Sequence, residues 1–144
     1  MPYPEQLIRL MREDLTQYGL AEARTPEAVD QALLPGSGSV LLVINSVCGC
    51  AAGKARPGVG LALQSEVRPD RAIIVFAGGD EEATAHVRAR YLADYPPSSP
   101  SVALFQDGKP VFYLHRSGIE SRGPEEIAEV LTGAFEKFCA PRVS

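Results

Sequence analysis

Two cysteines separated by a single residue, Cys48 and Cys50, are the side chains of this sequence best suited to chemistry. An ionised thiol is a strong nucleophile, and two neighbouring thiols can take up and pass on a disulfide. The third cysteine, Cys139, falls on an apolar helical pattern, where a cysteine is usually a small buried side chain. An odd total of three cysteines argues against a framework of structural disulfides. The close pair therefore predicts a redox-active or a metal-binding site.

The residues on either side of the pair predict a strand before it and a helix after it. Val40–Asn45 is a continuous apolar run rich in β-branched residues, which is typical of a central strand covered on both faces. A helix is predicted from Ala51 to about Val67, bent at Pro57 and at the glycines that follow it. A helix N-terminus carries partial positive charge and unpaired N–H groups, and both favour a thiolate.

This layout assigns different roles to the two thiols. Cys48 lies at the loop edge and is predicted to attack, whereas Cys50 is predicted to resolve the product. Gly49 between them makes accessible the unusual backbone that a disulfide across one residue requires. Such a strained bridge is more oxidising, so the pair suits disulfide exchange or removal of a small thiol. Lys54 and Arg56 add positive potential if their side chains fold back toward the helix start.

Two other interpretations of the pair stay open, namely inert thiols and a metal site. Thiolates one residue apart also bind zinc or copper, but a metal ion needs further ligands. Outside the carboxylates, only Cys139, His86 and His115 are available. His86 is predicted to lie on the surface or in packing, and His115, at the end of a hairpin strand, is predicted to be structural.

The other hydrophobic patterns predict an alternation of strands and helices around this site. Helices are predicted at Pro4–Tyr18, at Thr25–Leu34, at Asp80–Leu92 and from Gly123 to Phe138, and strands at Arg71–Phe76, Ser101–Phe105 and Pro110–His115. Strands joined through a helix are usually parallel, and a hairpin is antiparallel. The sequence therefore predicts an α/β fold with a four-stranded mixed sheet, helices on both faces, and one domain over residues 1–144.

Composition narrows the class of protein. A formal net charge of -4 argues against nucleic acid as the main partner, because phosphate binding needs a clustered basic surface. No apolar run approaches the ~20 residues that span a bilayer, so no membrane association is expected. The N-terminal residues lack the basic and apolar regions of a secretory signal, so a cytoplasmic location is expected.

The order of strand, thiols and helix resembles the thioredoxin fold, a three-layer α/β/α sandwich. In that fold a proline, often with a cis peptide bond, precedes the third strand and lies against the active-site cysteines. Pro100, after Ser99 and just before the strand at Ser101, matches that proline. Pro57 resembles the proline that kinks the active-site helix of this fold.

The thiol motif Asn45–Gly53, followed by Ala55-Arg56-Pro57, is similar to the bacilliredoxin family, and the resemblance covers nearly the whole chain. It implies removal of bacillithiol from S-bacillithiolated cytoplasmic proteins, with Cys48 taking up bacillithiol as a mixed disulfide and Cys50 as the second thiol. It implies no tightly bound cofactor, with bacillithiol as co-substrate. The residues expected to support the site are Gly49, Ala51, Ser99 and Pro100.

The resemblance also implies an alternative, because some members of the family have been viewed as protein disulfide isomerases. A further alternative is a thiolate metal-binding module. The chain departs from the more polar hairpin end associated with the family at Tyr113–Glu120, where substrate contacts are therefore open. Apolar residues on the first helix are suited either to the core or to a homodimer.

Overall fold

The computed structural model describes residues 3–47 and 49–139, apart from the side chain of Cys50. The attacking thiol predicted at Cys48 thus lies outside the described residues. The helices are α1 Glu5–Thr16, α2 Pro26–Ala32, α3 Gly49–Ala62, α4 Glu81–His86, which continues as a π-helical turn at Val87–Tyr91, α5 Arg116–Glu120 and α6 Pro124–Phe138. The strands are β1 Ala21–Glu22, β2 Ser39–Asn45, β3 Arg71–Phe76, β4 Ser101–Gln106 and β5 Lys109–Leu114.

The strands form one mixed sheet in the order β1-β3-β2-β4-β5. Strand β3 runs parallel to both β1 and β2, whereas β4 is antiparallel to β2 and to β5. The prediction of four strands was wrong by one, because β1 adds a fifth at the edge beside β3. A strand of two residues is too short to show an alternating pattern in the sequence.

Helices cover both faces of the sheet, as the predicted three-layer sandwich requires. Helices α1, α3, α5 and α6 enclose one apolar cluster, which includes Val59, Ile119 and Phe135. Helices α2 and α4 enclose the other, which includes Val29 and Val87. Strand β2 lies in the centre with all seven residues buried, in agreement with its unbroken apolar sequence. Among the described residues, no helix is both long and apolar enough to cross a bilayer.

Most predicted helices and strands are present, but several begin or end at residues other than those predicted. Strand β3 has the predicted bounds, and Pro57 lies inside α3 as expected. Helix α3 ends at Ala62 rather than near Val67, and the helix predicted at 80–92 changes after His86 into the π-helical turn. The short helix α5 was not predicted from the sequence.

Helix α1 divides its apolar residues between the core and the surface. Ile8 and Leu15 are fully buried, whereas Leu7 and Leu10 are 55% and 67% exposed. Arg12, a charged residue on the same helix, is only 3% exposed. The core face of α1 therefore contains a cation that the apolar pattern of the sequence does not reveal.

Two glycines of α3 provide a matched test of how closely this helix packs on α6. A Cβ atom at Gly58 would lie 2.7 Å from Ile127 Cγ2 and 3.1 Å from the Pro124 carbonyl oxygen, whereas a Cβ at Gly53 would meet open space. We expect Gly58→Ala to lower the free energy of unfolding by about 1–3 kcal/mol through overpacking. We expect Gly53→Ala to raise it by about 0.5–1 kcal/mol through helix propensity. Urea unfolding followed by circular dichroism measures both, and equal effects at the two positions would contradict this account.

Candidate active site

The chain leaves the centre of the sheet at the carboxyl end of β2 and enters α3 at Gly49. Gly49 has φ +43°, in the left-handed region that a residue with a Cβ rarely adopts, and its N–H donates to the Val47 carbonyl at 2.8 Å. Helix α3 begins at Gly49 rather than at Ala51, so the backbone of Cys50 belongs to its first turn. The helix therefore begins between the two cysteines of the sequence, at Gly49.

The side chain of Arg56 reaches from the second turn of α3 to this junction. Its Nη1 donates to the Ser46 carbonyl at 3.0 Å and to Asn45 Oδ1 at 3.2 Å, and its Nε donates to Asp14 Oδ2 on α1 at 3.2 Å. The predicted approach of a basic side chain to the helix start is thus found for Arg56. Lys54 instead donates to the Glu120 carbonyl of α5 at 3.1 Å.

Pro100 lies next to the same junction, on the neighbouring strand. The Ser99–Pro100 peptide bond is cis, and Pro100 is buried. Because Ser101 pairs with Ile44 in the antiparallel register, Pro100 lies beside the carboxyl end of β2, where the chain turns toward the thiols. The structure therefore places Ser99 and Pro100 next to the end of β2, from which the chain continues into the cysteine motif.

Groups from three elements hold the connector that precedes Pro100. The hydroxyl of Tyr113 on β5 bonds to the Pro96 carbonyl and to Ser98 Oγ. Arg88 Nη2, from the π-helical turn, donates to the Ser98 carbonyl at 3.2 Å. The backbone N–H of Arg116, at the start of α5, donates to Ser98 Oγ at 3.2 Å.

These supporting contacts were missed in the sequence. The run of proline and serine over residues 96–100 is visible there as a stiff connector, but its partners are 10 to 18 residues distant along the chain. Tyr113 begins the segment that the sequence expects to depart from the family pattern. Its hydroxyl bonds to this connector, so part of that segment supports the loop of Pro100.

Ala51, predicted to support the site, is 2% exposed and packs in the apolar cluster shared with α6. It therefore fixes the first turn of α3 against the core and presents no surface to a substrate. Substitution by a larger side chain would have to displace that cluster.

The remaining candidate residues have structural surroundings, as predicted. His115 caps α5, with Nδ1 accepting from the Ser117 N–H at 3.1 Å. His86 Nε2 lies 2.7 Å from Asp30 Oδ1, which also accepts from the Tyr91 hydroxyl at 2.6 Å. The hydrogen bond from Tyr91, and then that from His86, hold the pKa of Asp30 below its usual range.

Cys139 is a buried free thiol at the end of α6, 3% exposed. Burial raises its pKa, and a hydrogen bond with Ser39 opposes this rise. A thiol of raised pKa is a poor nucleophile at neutral pH. No group of three or more potential metal ligands occurs in the part of the chain that the structure describes.

Comparison with known proteins identifies the family. The sequence model of a family described as "Disulphide isomerase" matches residues 3–139. A bacilliredoxin of Salinibacter ruber is 52% identical over 141 aligned residues, and the match covers 96% of this chain and 82% of that protein. The chain belongs to the bacilliredoxin family. Bacilliredoxins of Koribacter versatilis and Geobacillus kaustophilus are 47% and 45% identical, and each match covers 95% of this chain and 94% of the relative.

Solved structures confirm the fold of this bacilliredoxin family member. A thioredoxin from Malassezia sympodialis superimposes with a TM-score of 0.60 over 85% of this chain and 92% of that one, at 10% identity. The oxidised thioredoxin from Plasmodium falciparum gives 0.55 over 85% of this chain and all of its own, at 13% identity. The bacilliredoxin family member is a thiol-disulfide oxidoreductase with a thioredoxin-like fold.

Proposed function

We propose that this oxidoreductase removes bacillithiol from S-bacillithiolated cytoplasmic proteins, with Cys48 as the attacking thiol and Cys50 as the second thiol. The observation that carries the proposal is the start of α3 at Gly49, between the two cysteines in sequence and shortly after β2 ends at Asn45. Gly49 there adopts a positive φ, and the basic side chain of Arg56 contacts the turn. The names of the relatives add support for bacillithiol as the small thiol.

In the first step, the thiolate of Cys48 attacks the bacillithiol sulfur of the client's mixed disulfide. A new S–S bond forms between Cys48 and bacillithiol, the old S–S bond breaks, and the client leaves as a thiolate that takes a proton from water. The helix N-terminus of α3 and the guanidinium of Arg56 favour the thiolate form of the attacking group. One disulfide is exchanged for another, so no external oxidant or reductant is needed.

In the second step, one of two thiolates releases the bound bacillithiol. If the thiolate of Cys50 attacks the Cys48 sulfur, bacillithiol leaves as a thiolate and a disulfide between the two cysteines remains. If a second bacillithiol thiolate attacks the bacillithiol sulfur, bacillithiol disulfide leaves and Cys48 is restored as a thiolate. Bacillithiol is thus a co-substrate of the proposed reaction.

Intact-mass measurement after incubation of the reduced protein with bacillithiol disulfide tests this function. We expect one bacillithiol adduct that persists in Cys50→Ser and is absent from Cys48→Ser. Glutathione disulfide at the same concentration serves as the control for small-thiol selectivity, and we expect it to form an adduct more slowly than bacillithiol disulfide does. A reduced wild-type protein that forms no bacillithiol adduct would refute the proposal.

A second candidate function is disulfide isomerisation in protein substrates, which the description of the matching family favours. Recovery of activity from an enzyme with scrambled disulfides, measured with each single cysteine variant, tests it. Isomerisation that requires Cys48 but proceeds equally well with and without bacillithiol would support this candidate over the first.

A further inference from the structure

We propose that Arg56 is a positioning residue of the thiol reaction. It holds the turn that leads from β2 to Cys48 and keeps a positive charge beside that turn. The inference rests on the proposed function in one respect, since it takes Cys48 as the attacking thiol.

The contacts of Arg56 join three elements at one point. From α3, the guanidinium donates hydrogen bonds to Asp14 on α1, to Asn45 at the end of β2 and to the Ser46 carbonyl of the loop. Its side chain is 13% exposed. A planar guanidinium with fixed donor directions suits such a junction, whereas an ammonium group cannot reach all three acceptors in one geometry.

Both backbone polar groups of Ser46 are held by this network. Its N–H donates to Asn45 Oδ1 at 2.9 Å, and its carbonyl accepts from Arg56. The Asn45 side chain is itself fixed, because its Nδ2 donates to the Met11 carbonyl of α1 at 3.0 Å. Ser46 precedes Cys48 by two residues, so covalent geometry keeps the two Cα atoms within about 7 Å. Fixing the Ser46 peptide therefore restricts where Cys48 can lie.

The charge of Arg56 acts on the same turn. An arginine stays protonated at every relevant pH, and a neighbouring positive charge favours a thiolate. Asp14 on α1 offsets part of this charge, and its carboxylate is 52% exposed. Among the other cations of the adjoining elements, Lys54 on α3 and Arg116 on α5 both bond to Glu120 of α5. On α1, Arg12 pairs with Asp80, Glu22 and Glu5, and Arg9 is exposed.

The rate of alkylation of Cys48 by iodoacetamide as a function of pH tests this role, with peptide mapping to assign the modified cysteine. In Arg56→Gln we expect the midpoint of the Cys48 profile to rise by about 0.5–1 pH unit, because the thiolate loses its positive neighbour. Lys54→Gln is the matched control. It removes one positive charge from the same helix without touching the turn, and we expect a rise of less than about 0.2 pH unit. Arg56→Lys keeps the charge and should recover at least half of the difference.

Asp14→Asn tests the same role independently, because it should shift the midpoint of the Cys48 profile in the opposite direction. Asp14 is exposed, so this substitution should disturb the fold little. It keeps a side-chain oxygen for Arg56 Nε and removes the offsetting charge, so we expect the midpoint to fall by about 0.2–0.5 pH unit. This variant decides the question if Arg56→Gln loses its native circular dichroism spectrum.

An unchanged profile in Arg56→Gln, an equal rise in Lys54→Gln, or an unchanged or raised midpoint in Asp14→Asn would overturn the inference. Its failure is distinct from failure of the proposed function. A wild-type protein that forms the bacillithiol adduct at Cys48 while Arg56→Gln keeps the wild-type profile refutes only the role of Arg56. A wild-type protein without an adduct refutes the proposed function.

Discussion

Cys48→Ser is expected to lower the rate of bacillithiol removal from a bacillithiolated protein by on the order of 10³-fold or more. A serine hydroxyl stays protonated near neutral pH, so it cannot replace the thiolate that begins the exchange. In the proposed reaction the helix start and the guanidinium of Arg56 favour an anion at this position, but neither supplies a nucleophile. The measurement is release of bacillithiol from a labelled client, followed by mass spectrometry.

The same assay separates the two thiols of the motif. When no free bacillithiol is present, wild type should release one bacillithiol per protein molecule as its Cys48–Cys50 disulfide forms, whereas Cys50→Ser should stop at the mixed disulfide at Cys48. Excess bacillithiol should restore its turnover, because an external thiolate then replaces Cys50. Cys139→Ser is the matched control. Its side chain is buried at the far end of α6, and we expect turnover within about twofold of wild type. Retention of turnover by Cys48→Ser would contradict the assigned role.

Much of this site was predictable because its central signals are local in the sequence. The apolar run of β2 and the internal Pro57 lie on either side of Cys-Gly-Cys, within 19 residues of one another, and both have a direct structural counterpart. The match of Pro100 to the proline of the thioredoxin fold came from resemblance. Its cis bond is observed in the structure, whereas sequence alone gives no basis for it.

The features that the sequence did not reveal depend on contacts between distant segments. Strand β1 exists only because it pairs with β3, some 50 residues later, and two residues carry no periodic signal. Helix α5 contains a glycine and only five residues, so propensity does not predict it, and its cap comes from His115. The sequence suggested that Arg56 could fold back toward the start of α3, where it contacts Ser46. It did not reveal the second contact of Arg56, which is with Asp14 on α1.

Arg12 is the clearest case of a residue that the apolar pattern misplaces. An amphipathic pattern assigns a charged residue of α1 to solvent, yet Arg12 is buried and lies over the ring of Phe76, with its Cζ 5.2 Å from the ring centroid. Its Nη1 and Nη2 each donate to Asp80 at 2.9 Å, and it also pairs with Glu22 at 2.7 Å and Glu5 at 2.8 Å. Helix α1 is thereby fastened to β1 and to the loop between β3 and α4.

Arg12→Met is expected to lower the free energy of unfolding by about 3 kcal/mol or more. The aliphatic side chain fills similar space, but it leaves the Asp80 carboxylate, 3% exposed, without its bidentate partner. Arg24 and the Phe76 N–H remain as weaker partners of Asp80, so the loss should fall at the lower end of the range of about 3–5 kcal/mol for broken buried pairs. Urea unfolding at neutral pH measures the change.

The charge state of Arg12 makes neutral pH the correct condition for this measurement. Burial by itself lowers the pKa of Arg12, but the hydrogen bonds with Asp80 and Glu22 outweigh it, and the net pKa is raised. A raised pKa in the folded state contributes stability that is fully present below the pKa of the unfolded chain and is lost only at higher pH. The contribution of the Arg12 charge to stability is therefore fully present at pH 7.

Two further variants separate the buried pair from ordinary surface charge. Arg24→Gln removes a cation whose side chain is 50% exposed and should cost less than about 1 kcal/mol. Asp80→Asn combined with Arg12→Met removes both charges, so the double variant should be less destabilised than the sum of its parts by about 0.5–3 kcal/mol. Additive effects would mean that Arg12 stabilises α1 through its packing on Phe76 rather than through Asp80. In that case the attachment of α1 beside the thiol turn would rest on the bonds from Asn45 and Arg56 and on packing, rather than on the pair of Arg12 and Asp80.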